Sequence, residues 1–252
     1  MNPVFDPAKV VSVKVKPLPV IMLLDVSGTM AERNKIQNLN DAVKDMLESF
    51  RDTENGEIEI HVSAITFGNE VRVHQVLASS SDIKWVDLPA SGGTPLGTAI
   101  KMAKAMIADK TIVPSRAYSP VVVLISDGCP TDEWEQPLAD FIGEGRSSKC
   151  DRMALAIGPD ADKAVLEKFI EGTQYNLFYA ENAKHLRDFF KFVTMSVTTR
   201  TESQDPNVVT PTDNIDVKPT TIDARKDRPM DAGQQGPSNA QEEEQPDDEG
   251  YW

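Results

Sequence analysis

Asp25, Ser27 and Thr29 occupy alternate positions in Asp25-Val26-Ser27-Gly28-Thr29. Thr94 follows two glycines in Gly92-Gly93-Thr94-Pro95, and Asp127 sits in Ser126-Asp127-Gly128. Two carboxylates and three hydroxyls suit a hard divalent cation such as Mg²⁺, which takes about six oxygens at about 2.0–2.1 Å and prefers them to sulfur or imidazole. Each stretch lies at or just past the end of an apolar run or at the entry to a helix. In an open parallel sheet all three therefore meet at one rim.

The elements that must bring them together are legible from hydrophobic spacing. Residues 18–24 and 120–125 are nearly continuous apolar runs bounded by polar turns, as expected for central strands covered on both faces, and 153–157 is a shorter run of the same type. Ile58, Ile60, Val62 and Ala64 alternate with polar neighbours up to Phe67, and Val71 with Val73 opens a second alternating segment after Gly68-Asn69, which predicts a hairpin at a sheet edge. Helical stripes lie between: Ile36, Leu39, Val43, Met46, Leu47 and Phe50; Leu96, Ile100, Ala103 and Ile107; Val165, Leu166, Phe169 and Ile170; Leu186, Phe189, Phe190, Val193 and Val197. A further helix is expected after Asp132, with Asp132 and Glu135 as its reciprocal N-terminal cap. Strands alternating with helices predict a three-layer α/β domain whose sheet is mostly parallel with one antiparallel edge strand.

Composition narrows the partners. The 252 residues suffice for one domain of about 200 residues and an appendage. Residues 201–252 hold 13 Asp/Glu and 4 Lys/Arg of the totals 40 and 26, so of the net −14 the tail carries −9 and the rest −5. That balance argues against nucleic acid or an anionic membrane as partner, since both require a basic footprint. The first twenty residues lack the apolar core of a secretory signal and no run is long enough to span a bilayer, so a soluble cytoplasmic protein is expected. The two cysteines form no CxxC pair and read as ordinary reduced thiols. The expected division is an N-terminal extension over 1–15, a folded domain over 16–202 and a disordered acidic tail over 203–252, whose sparse apolar surface does not offset the entropy of ordering.

Asp25-Val26-Ser27-Gly28-Thr29, Thr94 and Asp127 resemble the metal-ion-dependent adhesion site of von Willebrand factor A domains, and the resemblance covers roughly residues 16–200. It implies the Rossmann-like three-layer fold of that family. It also implies Mg²⁺ or Mn²⁺ held by Asp25, Ser27 and Thr29, with Thr94 and Asp127 changing between direct and water-mediated contact as a partner carboxylate completes the shell. Position 29 departs from the family motif, which commonly has Ser; the extra methyl stiffens the side chain and narrows the pocket. More narrowly, residues 126–134 and the stripe Leu186-Arg187-Asp188-Phe189-Phe190 resemble the bacterial TerY-type proteins of tellurite-resistance, stress and phage-defence clusters. That resemblance implies an associated protein kinase and a PP2C-like phosphatase as partners.

With only Asp25 in direct contact, much of the ion's double charge is uncompensated and the site calls for an external Asp or Glu from a partner protein. A non-enzymatic, metal-dependent scaffold follows from this. An enzyme needs a base or nucleophile beside the ion, and none is evident. There is no phosphate loop and no His-Glu-x-x-His pair, while His61, His74 and His185 stand apart. The alternatives are a metal-dependent phosphoryl-processing enzyme and a co-chaperone of an AAA+ ATPase. Trp134, beside the site, and the terminal Tyr251 and Trp252 are candidate contact anchors for the partner.

Overall fold

The computed structural model describes residues 15–53, 58–209, 211, 215 and 217–222. The apolar run at 18–24 becomes strand β1 (Lys16–Asp25), and its side chains divide by parity, as a pleated strand requires. Leu18, Val20, Met22 and Leu24 enter one core while Ile21 and Leu23 enter a second. A strand buried on both faces must lie inside a sheet covered on both sides. Accordingly β1 pairs in parallel with β2 (Ile58–Phe67) on one side and β4 (Val121–Ser126) on the other. Beyond β4, strands β5 (Asp151–Ile157) and β6 (Leu177–Ala180) continue the parallel sheet. Strand β3 (Val71–Ser79) closes one edge, antiparallel to β2, as the hairpin pattern predicts. With a last short strand β7 (Thr221–Ile222), the complete order is β3-β2-β1-β4-β5-β6-β7.

The helices form the outer layers, and α1, α2, α4 and α5 bury residues of the stripes read from the sequence. On the first face α1 (Lys35–Thr53) brings Leu39, Val43 and Phe50, and α5 (Ala183–Glu202) brings Leu186, Phe189 and Val193. On the second, α2 (Leu96–Ala108) contributes Ile100 and Ala103, α3 (Glu135–Gly143) Leu138 and Phe141, and α4 (Lys163–Phe169) Leu166 and Phe169. No helix among the described residues is long and apolar enough to cross a membrane.

Two features differ from the sequence expectation. There is a second antiparallel edge: β7 (Thr221–Ile222) pairs with β6, so the sheet ends in opposed strands on both sides. At two and four residues, β7 and β6 are too short for a periodic signal. The first part of the segment expected to be disordered is also packed on the domain. Arg200, fully buried near the end of α5, donates from Nε to the Pro206 carbonyl at 2.8 Å and from Nη2 to the Ser119 carbonyl at 2.9 Å. The Asn207 side chain accepts from the Ser119 amide at 3.0 Å, and Ile215 is buried in the first core. Residues 1–14 of the N-terminal extension and 223–252 of the acidic tail, with Tyr251 and Trp252, lie outside the described residues.

Candidate metal centre

Strand register brings the two carboxylates together. Leu24 pairs with Ile125, which sets Asp25 opposite Ser126 and Asp127 one residue beyond β4. The sequence leaves β1 toward β2 on one side, while β4 lies on the other, so this rim is the topological switch point where α/β sheets open a crevice. Asp25 and Asp127 have no exposed surface. Asp25 Oδ1 accepts the Ser27 amide at 2.9 Å and Oδ2 accepts Ser126 Oγ at 2.5 Å. Asp127 Oδ1 accepts Thr29 Oγ1 at 2.8 Å and Ser27 Oγ at 3.4 Å, and the two hydroxyls are 2.9 Å apart.

Backbone bonds lock the second loop to the first and the third to the second. Gly28 N donates to Gly92 O at 2.9 Å and Ser91 N to Val26 O at 2.7 Å. Gly92 has φ +85°, and a Cβ there would come within 2.3 Å of Asn69 Cα, so the close approach of this loop to the turn between β2 and β3 requires glycine. Thr94 is buried and exchanges two bonds with Thr131: Thr131 N donates to Thr94 O at 2.9 Å, and Thr94 N to Thr131 Oγ1 at 3.0 Å. The Thr94 hydroxyl faces Gly128, where a Cβ would lie 3.5 Å from it. All five expected donors thus converge on one rim.

Asp132 does not cap its own helix. Its carboxylate accepts Gly97 N, Thr98 N and Thr98 Oγ1, each at 2.8 Å, and so caps α2 from another loop, whereas α3 starts after Trp134 with no side-chain cap. The orphan amides at the start of the longer α2 attract the carboxylate. Trp134 is half-buried against the second core, with Lys168 Nζ 5.0 Å above its ring. The histidines lie elsewhere: His61 on Glu59, His74 on the Val86 carbonyl, His185 at the start of α5.

Two residues went unread in the sequence. Ser126 orients Asp25 through its hydroxyl. Lys35, the first residue of α1, places Nζ 2.5 Å from Asp127 Oδ2, with side-chain exposure of 9% against 0% for its partner. The signal was available: α1 has no acidic residue in its first turn, and a cation at a helix N-terminus opposes the macrodipole, so it demands a carboxylate from elsewhere. The backbone before it is strained, with Arg33 at φ 52° and Asn34 at φ 59°.

The electrostatics favour a cation. Burial pushes the Asp25 carboxyl above its ordinary range, opposed by the hydrogen bonds from Ser126 and Ser27, and Asp127 adds like-charge repulsion. A cation between the carboxylates removes that repulsion. Among the described residues no three His, Cys, Asp or Glu side chains cluster, so hydroxyls must supply part of any shell. Carboxylates with hydroxyls, and no sulfur or imidazole, fit a hard divalent ion.

A model of the von Willebrand factor type A domain matches residues 20–192. No curated protein sequence matches the chain. Among solved structures, the ArnB paralog VWA2 of Sulfolobus acidocaldarius superposes with a TM-score of 0.54 at 15% identity, covering 74% of this chain and 45% of that one. A von Willebrand factor type A protein of Catenulispora acidiphila gives 0.56 at 20% identity over 72% and 42%. Proximal thread matrix protein 1 of the mussel byssus, solved with a zinc-occupied metal-ion-dependent adhesion site, gives 0.57 at 18% identity over 71% and 48%. The matched chains are longer: this one covers less than half of each of these three.

Proposed function

The chain belongs to the von Willebrand factor type A domain family, and from that membership we propose that it is a non-enzymatic, metal-dependent module that recruits an acidic group of a partner protein. One observation carries the reading. Two fully buried carboxylates at the ends of neighbouring parallel strands, Asp25 in β1 and Asp127 just past β4, converge with the hydroxyls of Ser27 and Thr29 at the switch-point rim, with the Thr94 hydroxyl facing Gly128.

On this reading Asp25, Ser27 and Thr29 hold Mg²⁺, with Mn²⁺ as a substitute, while Thr94 and Asp127 adjust as the partner arrives. Bound there, the ion supplies positive charge that a partner's Asp or Glu completes. The residues of the chain do the rest. Ser126 and the Ser27 amide fix the orientation of Asp25. Thr131 holds the loop after β4 against Thr94 and Asp132 holds it on the start of α2, so the backbone of the rim is in place before the partner binds, only side chains adjust, and little ordering cost remains. The zinc-occupied site of the mussel protein supports a divalent ion at such a rim.

The cellular setting rests on the resemblance of residues 126–134 and 186–190 to TerY-type proteins. We assign the module to a bacterial cytoplasmic stress or defence complex on that basis. A protein kinase and a PP2C-like phosphatase are the partners that resemblance suggests.

The test is affinity capture of partner in Mg²⁺ against chelator, with native protein and Asp25→Ala side by side. Native protein should capture partner only with Mg²⁺, and Asp25→Ala should lose that capture with an unchanged circular dichroism spectrum. Equal capture by both proteins, or capture indifferent to chelator, sinks the proposal.

A further inference from the structure

Lys35 bonds the oxygen of Asp127 that faces away from the hydroxyl donors. Oδ1 takes Thr29 and Ser27, while Oδ2 takes the ammonium at 2.5 Å. The lysine is held in place by its surroundings. It opens α1 directly after the left-handed pair Arg33 and Asn34, only 8% of it is exposed, and Gly158 packs beside its terminal carbon, where an added Cβ would stand 3.8 Å from Cε. It also lines a cleft of about 250 Å³ together with Arg33, Asn38, Gly158, Tyr179 and Asn182.

We propose that Lys35 is a specificity-determining residue of the metal centre, weakening uptake of the ion and strengthening attraction for the partner's carboxylate. The inference rests on the function proposed above and follows from charge counting. Ionised Asp25 and Asp127 contribute −2 and Lys35 contributes +1, so the centre carries −1. A divalent ion brings it to +1, which an external carboxylate neutralises. Without the lysine the loaded centre is neutral and has no net pull on an anion. In a site this buried, one unit of charge a few ångströms away changes affinity by about tenfold or more. Arg33, which lines the same cleft as Lys35, places a second cation nearby.

Lys35 would act on a bound ion only through Asp127, so it is a positioning residue, and its test must separate charge from scaffolding. Mg²⁺ alone is titrated by calorimetry into native protein, Lys35→Met and Lys35→Arg. Glutarate is then titrated at saturating Mg²⁺ and followed by chemical shift. Lys35→Met should bind Mg²⁺ about tenfold tighter and glutarate about tenfold more weakly, while Lys35→Arg, keeping the charge, should stay close to native in both. If Lys35→Met takes up Mg²⁺ no more tightly than native, the inference fails alone and the lysine is a tether between α1 and β4. If native protein takes up no Mg²⁺, the proposed function fails and the inference with it.

Discussion

Single side chains in this domain are decided by what water they lose. Cys150 is buried, and desolvation pushes its thiol up to about 12 despite the nearby Arg152 and Arg146, whereas Cys129 is exposed. Thiolate is the nucleophile, so Cys150 stays in its inert thiol form at neutral and mildly alkaline pH. Titration of native protein with an aromatic disulfide at pH 8 should release one equivalent promptly and the second only on unfolding. Two fast equivalents would contradict the buried assignment. The same reasoning explains why the five donors were readable and Lys35 was not. Asp25, Ser27, Thr29, Thr94 and Asp127 announce themselves through glycine-flanked motifs. The lysine is one among 26 basic residues, marked only by its mismatch with the dipole of α1.

At the scale of elements, the loop after β4 is held by the start of α2. Gly97 packs so closely there that a Cβ would stand 2.0 Å from the Glu133 carbonyl oxygen, a backbone atom that cannot swing aside. Alanine in a helix is intrinsically favoured over glycine by about 0.8–1.0 kcal/mol, but forcing the loop away costs about 1–3 kcal/mol by overpacking. The clash outweighs the propensity. Gly97→Ala should lower unfolding stability by about 1–2 kcal/mol in urea titrations and weaken Mg²⁺ uptake as Asp132 loses its amides. A stabilised variant would mean that the two loops are not coupled. The stripe of α2 was visible in the sequence, but its cap was not, because Asp132 lies 35 residues beyond the amide it accepts.

For the whole molecule, the boundary of the folded unit is at issue. The expected end at 202 leaves out Pro206, Asn207, Ile215 and β7, all of which the domain uses. Arg200 is fully buried and its Nη1 has no partner among the described residues, so loss of the Pro206 carbonyl removes one of its two remaining anchors. Burial of Ile215 is worth about 1.5–3 kcal/mol, and the orphaned guanidinium costs at least about 1 kcal/mol more. Truncation after 202 should therefore destabilise the domain by about 2–4 kcal/mol in urea relative to the full chain. Equal stability of the two would restore the shorter boundary.

Hydrophobic periodicity determined the fold class, the parallel centre of the sheet and the β2–β3 edge hairpin, and short glycine-flanked motifs picked out the five oxygen-bearing residues that meet at one rim, because those properties are written in local spacing. What the tertiary structure decided depends on pairs distant in the chain. Asp132 caps α2, Arg200 gathers residues 119 and 206, and Lys35 neutralises a carboxylate 92 positions away. Such contacts carry no periodic signal, since each satisfies one buried polar group through a neighbour that only folding supplies.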